Sequence, residues 1–264
     1  MKSHLALVTG ASRGIGAAVA ETLGSRGIAV LCAARRAASA QETVDRIQSA
    51  GGRAMALSLD VSDPASVESA LQTARDNFCE GAPITWLVNN AGVAISAPLL
   101  RSSAEGIDDL WKHHMEINFH GARRLVEALA PEMIETGYGR ILNIASSAAL
   151  RGYAYVAAYV ASKHALLGYT RSAAEELAKK NVGVHAICPH YVDSPMTDVS
   201  IERIAEKTGQ SLEEARAFFA SQNPSGKLVT PQQIANCAYD LMAAESARGQ
   251  ILELDGGEEP QLLS

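Results

Sequence analysis

The chain has little that would cross-link it, carry it into a membrane or bring it onto nucleic acid. Its 264 residues include only four cysteines, Cys32, Cys79, Cys188 and Cys237. They lie far apart, without CxxC or Cys/His ligand spacing, which argues against a disulfide framework or a metal site and for reduced thiols in a cytosol-like compartment. No apolar run reaches the roughly 20 residues of a membrane span. The N-terminus lacks the charged, apolar and small-residue regions of a secretory leader, so a cytoplasmic location is expected. Positive charge is also scarce: the net charge is −6 and the pI near 5.7. No nucleic-acid footprint is apparent, and any anionic ligand must be held by specifically placed donors. Internal repeats, low-complexity tracts and domain-splitting linkers are missing too, which excludes solenoids and disordered tails.

What is there is a full core and an alternating pattern. Hydrophobic residues make up 47% of the chain. Apolar strand-like runs at 6–8, 29–33, 54–59, 86–89, 140–145, 183–188 and 250–254 alternate with stretches of helical period. Parallel strands joined by crossover helices give that pattern. The expected fold is therefore α/β: one domain, a doubly wound seven-stranded parallel sheet of Rossmann type with helices on both faces. Asp63-Pro64 and Thr230-Pro231 set a capping side chain before a proline at the first helical position, and Gln233 completes a capping box.

After the first strand the chain reads Thr9-Gly-Ala-Ser-Arg-Gly-Ile-Gly16. A phosphate at a helix N-terminus needs unobstructed backbone N–H groups, and Gly10, Gly14 and Gly16 remove β-carbons from such a turn. The spacing is TGxxxGxG, not GxGxxG. Later motifs follow in order: Asp60-Val61, then Asn89-Asn90-Ala91-Gly92, then Asn118, Ser146 and Tyr159-Val-Ala-Ser-Lys163. With these the chain, from about Leu5 to Gly257, resembles the short-chain dehydrogenase/reductase family.

The resemblance implies an oxidoreductase with Asn118, Ser146, Tyr159 and Lys163 as its catalytic tetrad. Tyr159 would be proton donor and acceptor. Lys163 would tune it and bind the nicotinamide ribose, Ser146 would polarise the substrate oxygen, and Asn118 would hold a water in a relay through Lys163. Ser147 competes with Ser146, but Ser146 stands thirteen residues before Tyr159, the spacing of the family. It also implies cofactor contacts from Gly10, Ser12, Arg13, Gly14, Ile15, Gly16, Asp60, Val61, Asn89, Ala91, Gly92, Tyr159, Lys163, Pro189 and Ser194. Tyr159 and Lys163 are four apart in a helical segment, hence on one face, and a nearby ammonium is expected to lower the phenol's pKa from its usual value of about 10.

The residues at the end of the second strand select the cofactor. An acid that binds the adenosine ribose normally stands there, but this chain reads Ala33-Ala34-Arg35-Arg36. Ala34 leaves room for a 2′-phosphate, Arg35 offers it a guanidinium fork, and Arg13 adds charge. NADP(H) is expected, with NAD(H) as the alternative and a solvated surface pair as the plain reading of Arg35 and Arg36.

The chain departs from the family after the sixth strand, where Pro189 is followed by His190 in place of glycine. His190 either lines the substrate site with Ser146 and Tyr159 or, preferred at this stage, points to solvent. Ser194 replaces the threonine that binds the nicotinamide carboxamide. Residues 198–227 form an insertion, read as a helical substrate lid over about 190–228, with a capping box at Ser211 and Leu212, Ala215 and Phe219 on one face. Phe218, Phe219, Val199 and Ile201 are candidates for an apolar pocket or for lid packing. His113 and His114 are expected at the surface or a subunit contact, and the helices near 107–135 and 157–180 against another subunit, as a homodimer or homotetramer. The substrate class implied is a ketone or secondary alcohol, with 3-oxoacyl or 3-hydroxyacyl compounds foremost. The rivals are an NAD-dependent enzyme on a sugar, steroid or cyclic alcohol, and an NADPH-binding regulatory protein, for which a broken tetrad would be the sign.

Overall fold

Short apolar runs become strands here because both their faces are covered. The computed structural model describes residues 4–100 and 107–263. It places β1 (Leu5–Thr9), β2 (Ala29–Ala34), β3 (Ala54–Ser58), β4 (Trp86–Asn89), β5 (Gly139–Ile144), β6 (Val182–Pro189), β7 (Ile251–Leu254) and β8 (Gln261–Leu263) in one sheet. The order is β3-β2-β1-β4-β5-β6-β7-β8, and the reversal beside β1 marks the switch point of a doubly wound sheet. Seven strands are parallel and lie within one residue of their expected bounds at either end. The eighth corrects the expected count: β8 turns back after Gly256-Gly257 and pairs antiparallel with β7. Three residues are too few to show a two-residue period, so the sequence carries no signal for it.

The helices are α1 (Gly14–Ser25), α2 (Gln41–Ser49), α3 (Pro64–Ala74), α4 (Ile107–Met115), α5 (Gly121–Glu135), α6 (Ala157–Leu177), α7 (Pro195–Thr208), α8 (Leu212–Ser221) and α9 (Pro231–Ala243). Alternation along β1 shows how they divide. Ala6 and Val8 pack with Val19, Val44 and Ile234 of α1, α2 and α9. Leu5 and Leu7 face the other way, with Val67, Leu125 and Ala173 of α3, α5 and α6. A strand buried on both faces must be apolar at every position, which is why it reads as a run and not as an alternation.

The capping signals form as the sequence implies. Asp63 accepts from the Ala65 N–H, and Thr230–Gln233 and Ser211–Glu214 make reciprocal capping boxes. The insertion contains two helices, α7 as well as the expected α8, closed at its base where Val192 and Val229 pair. Ile201, Ala215 and Phe219 form its small core. Leu212, expected on the same face, is instead 59% exposed, and Phe218 and Val199 are exposed too. Leu212 opens α8 outside that small core.

Candidate active site

The C-terminal ends of the central strands bring the glycine turn, the loop after β4 and the start of α6 together. Gly10 and Gly14 take positive φ of 65° and 58°. A β-carbon on Gly16 would lie 2.3 Å from the Gly10 carbonyl oxygen and 2.5 Å from Asn90 Nδ2. The turn is therefore bare of side chains on a helix N-terminus, which fits a phosphate. Ser12 and Ile15 flank it, half-buried, and Arg13 is exposed at the N-cap.

Two residues that the sequence reasoning left without a role hold this region. Thr9 Oγ1 donates to the Val88 carbonyl and accepts from the Asn90 and Ala91 N–H groups, while Asn90 Nδ2 donates to the carbonyls of Thr9 and Gly10. They tie the loop after β4 to the glycine turn. Their signal was a polar residue ending each of two neighbouring buried strands. Asn89 turns the opposite way, giving its Nδ2 hydrogen bond to Asn143 Oδ1 at 2.9 Å. A small cavity is lined by Thr9, Val61, Asn89, Ala91, Asn118 and Lys163, so residues expected for cofactor and for catalysis share one hollow.

Arg35 and Arg36 stand exposed at the end of β2, and neither they nor Arg13 meets a carboxylate within ion-pair distance among the described residues. Asp60 accepts from Ser62 Oγ and the Ser62 N–H, which hold its carboxyl below the usual range, with the charge of Arg35 adding to this. Val61 is buried against Gly121, where a β-carbon would lie 2.8 Å from it. On the far side Gly14 faces Ser194 and Pro195 at the start of α7, 3.8 and 3.6 Å from where its own β-carbon would be.

Ser146 caps a short 3-10 turn, Ser147–Ala149, by accepting from the Ala148 N–H at 3.1 Å. Its hydroxyl stands near enough to the Tyr159 phenol to lower it. Burial pushes that phenol above its ordinary value, and the Ser146 hydroxyl offsets this only in part. Burial outweighs any lowering of the phenol by Lys163, so the net shift is upward and not the expected fall. Lys163 lies on the same helix face, but its Nζ is 5.8 Å from the Tyr159 ring centre and donates to the Ile144 carbonyl at 2.8 Å. Burial lowers Lys163 to about 8.

Asn118 sits in a π-helical turn, Glu116–His120, between α4 and α5. Its Oδ1 accepts from the Val93 N–H at 2.8 Å, and its Nδ2 donates to the Val93 carbonyl and Ser162 Oγ at 2.9 and 3.0 Å. Both amide hydrogens are committed to protein, so the side chain clamps the loop after β4. One turn earlier is a second clamp: His114, expected at the surface, is fully buried. Its Nε2 accepts from the Ile95 N–H at 3.0 Å and its Nδ1 donates to the Leu110 carbonyl at 2.8 Å, a neutral tautomer that burial favours. His113 is exposed.

His190 also departs from the preferred expectation of a solvent-facing ring. Pro189 ends β6, and the His190 side chain after it is only 1% exposed, between Glu253 of β7 and Arg151.

Comparison with known proteins agrees with this geometry. Residues 4–205 match the family model described as short chain dehydrogenase. The chain is 35% identical over 258 residues to the 3-oxoacyl-[acyl-carrier-protein] reductase FabG of Escherichia coli (strain K12), covering 97% of each. It is 36% identical over 258 residues to the short-chain reductase protein NovJ of Streptomyces niveus, covering 97% of this chain and 94% of that one. Among solved structures it is similar to an actinorhodin polyketide ketoreductase with NADPH, at TM-score 0.87 and 33% identity over 97% of each chain. It is also similar to L-sorbose reductase from Gluconobacter frateurii complexed with NADPH and L-sorbose, at TM-score 0.87 and 25% identity, over 97% of this chain and 96% of that one.

Proposed function

The chain belongs to the short chain dehydrogenase family, and on that premise we propose that it is an NADP(H)-dependent oxidoreductase interconverting a ketone and a secondary alcohol, with 3-oxoacyl or 3-hydroxyacyl compounds as its substrate class. The observation that carries the reading is the nearness of the Ser146 hydroxyl to the Tyr159 phenol, with Lys163 on the same helix face lining a hollow with Thr9, Asn89 and Ala91. The relatives named as 3-oxoacyl reductase and polyketide ketoreductase support the substrate class.

The residues fit the cofactor. Gly10, Ser12, Arg13, Gly14, Ile15 and Gly16 would hold its pyrophosphate, and Arg35 with Arg13 its 2′-phosphate. Asp60 and Val61 would meet the adenine. Asn89, Ala91, Gly92, Pro189, Ser194 and Lys163 would surround the nicotinamide half. NADP(H), when bound, supplies or takes the hydride. The chain itself handles the oxygen. Tyr159, kept protonated at neutral pH by its buried setting, gives its proton to the carbonyl oxygen, and the Ser146 hydroxyl donates to the same atom as charge builds on it. Lys163, charged below about pH 8, favours the phenolate left behind. Asn118 and His114 keep the loop at Val93 and Ile95 in place over Tyr159, whose ring meets His114 edge-on at 6.4 Å.

A sugar ketone is the second reading, favoured by the likeness to L-sorbose reductase. The assembly we propose is one domain per chain in a cytoplasmic homodimer or homotetramer. Exposed Leu99, Trp111 and Tyr155 around one hollow offer an apolar contact, the thiols are free, and no helix among the described residues is long and apolar enough to cross a membrane. The deciding experiment follows absorbance of the reduced nicotinamide with a panel of 3-oxo thioesters, ketoses and simple ketones. Turnover of 3-oxo thioesters with NADPH is expected, lost by at least about a hundredfold in Tyr159→Phe. Undiminished turnover in that variant would overturn the mechanism.

A further inference from the structure

The buried His190 belongs to a continuous chain of side chains that ends one residue from the catalytic serine. His190 Nε2 meets Glu253 Oε1 at 2.6 Å, and Arg151 Nη2 meets His190 Nδ1 at 3.1 Å. Arginine has hydrogens only to give. Nδ1 must therefore accept, and the imidazole proton sits on Nε2, donated to the carboxylate. Arg151 Nε in turn donates to the Tyr153 oxygen at 2.9 Å, and that oxygen lies 2.8 Å from Ser147 Oγ.

Counting hydrogens at the far end leaves one over. Tyr153 and Ser147 have two O–H hydrogens between them, and their single mutual bond uses one. Whichever hydroxyl donates, the other keeps a hydrogen with no partner among the described residues. Arg151 already occupies one lone pair of the Tyr153 oxygen, which polarises the pair as a donor. The place is chemically suggestive: Ser147 follows Ser146, and the Tyr153 ring meets Tyr191 of the lid base edge-on at 6.1 Å. Tyr153 is also near enough to Tyr159 for charge on one to be felt by the other.

We propose that the Ser147–Tyr153 hydroxyl pair is a second substrate-oxygen site, whose spare O–H binds a carbonyl or hydroxyl oxygen carried close to the reacting ketone, as in the ester or thioester carbonyl of a 3-oxoacyl group. Glu253 and His190 are positioning residues that hold Arg151, and through it Tyr153, in donor geometry. The inference rests on the ketoreductase reading above and deepens it: the substrate is recognised by two oxygens, not one. A glycine at position 190 would leave both Glu253 and Arg151 without their shared partner.

The test compares kcat/KM for ethyl 3-oxobutanoate with that for 2-heptanone, a chain of equal length that lacks the ester carbonyl and its bridging oxygen. Tyr153→Phe is expected to lower the ester-to-ketone ratio about tenfold. His190→Gly is expected to lower it in the same direction, and His190→Gln to restore it, because an amide can accept from Arg151 and donate to Glu253. A ratio unchanged within about twofold in Tyr153→Phe, or the same ratio in His190→Gly and His190→Gln when both variants are folded by thermal melting, overturns the inference while the ketoreductase reading stands. Turnover of neither compound by the wild-type protein, while a ketose or other carbonyl is reduced, overturns the 3-oxoacyl class and this inference together.

Discussion

Lys163 gives its hydrogen bond to the carbonyl of Ile144, at the end of β5, and not to Tyr159 one turn earlier on its own helix. The ammonium is thereby anchored to the sheet, while the phenol stands near Ser146. The two groups act across a gap set by β5 and α6 together, so the position of the charge follows the packing of α6 and not side-chain rotamers alone.

That anchoring has a stability cost. An unfolded lysine titrates near 10.4, and burial lowers Lys163 to about 8. Between those values the unfolded chain binds the proton that the folded chain has released, so stability rises with pH across that window and the cost is fully present at pH 7. Lys163→Met is expected to unfold at higher denaturant by about 1–3 kcal/mol at pH 7, while losing nearly all turnover. Chemical denaturation at pH 7 checks it; a less stable variant would show that the bond to Ile144 outweighs desolvation.

Arg35 controls cofactor choice if its charge faces a 2′-phosphate. Arg35→Asp is expected to raise the KM for NADPH by about tenfold or more, as loss of a charge-assisted bond and gain of a like charge require, and to leave NADH less affected. Initial rates with both cofactors decide it, and equal changes for the two would remove Arg35 from the site.

His114 fixes the loop that faces Tyr159. His114→Leu leaves the Ile95 N–H without its acceptor, a loss of about 1 kcal/mol because water can reach that donor. The expected readout is a rise in substrate KM larger than the fall in kcat, with His114→Asn partly restoring it. A variant with native KM would confine His114 to packing.

His185 makes the fold sensitive to acid. It is buried in β6, with Nδ1 accepting from the Gln250 N–H at 3.2 Å. Burial, with the charge of Arg140 adding to it, lowers His185 to about 4. Above pH 6.5 both folded and unfolded forms are neutral and the group is silent. As pH falls from there toward 4 the unfolded chain takes the proton first, and stability drops by about 1.4 kcal/mol per unit. Denaturation midpoints at pH 7.5 and pH 5 are expected to differ less in His185→Gln than in the wild-type protein; identical differences would exclude this histidine as the cause.

Much of this was legible in the sequence because it is local. The run Leu5 to Thr9, the turn from Gly10 to Gly16, the Thr230–Gln233 box and the four-residue step from Tyr159 to Lys163 each act within about one turn or one strand, where the chain's own geometry fixes who meets whom. Leu212 failed that logic because its helical face is right but it stands outside the small core of the insertion. His114 and His190 failed it differently: an imidazole with no partner at local spacing reads as surface, and only the loop at Ile95 and the carboxylate of Glu253 show that both rings are buried and bonded.

The sequence by itself determined the parallel sheet, its crossover helices, the bare glycine turn and the helix face that Tyr159 and Lys163 share, since those depend on periodicity and on near neighbours. The tertiary structure alone decided that Lys163 is tied to β5, that Asn118 and His114 clamp a loop, and that His190 joins β7 to the residues beside Ser146. Each of these links residues 19 or more positions apart, and such a meeting is set by how whole strands and helices pack, which no local pattern encodes.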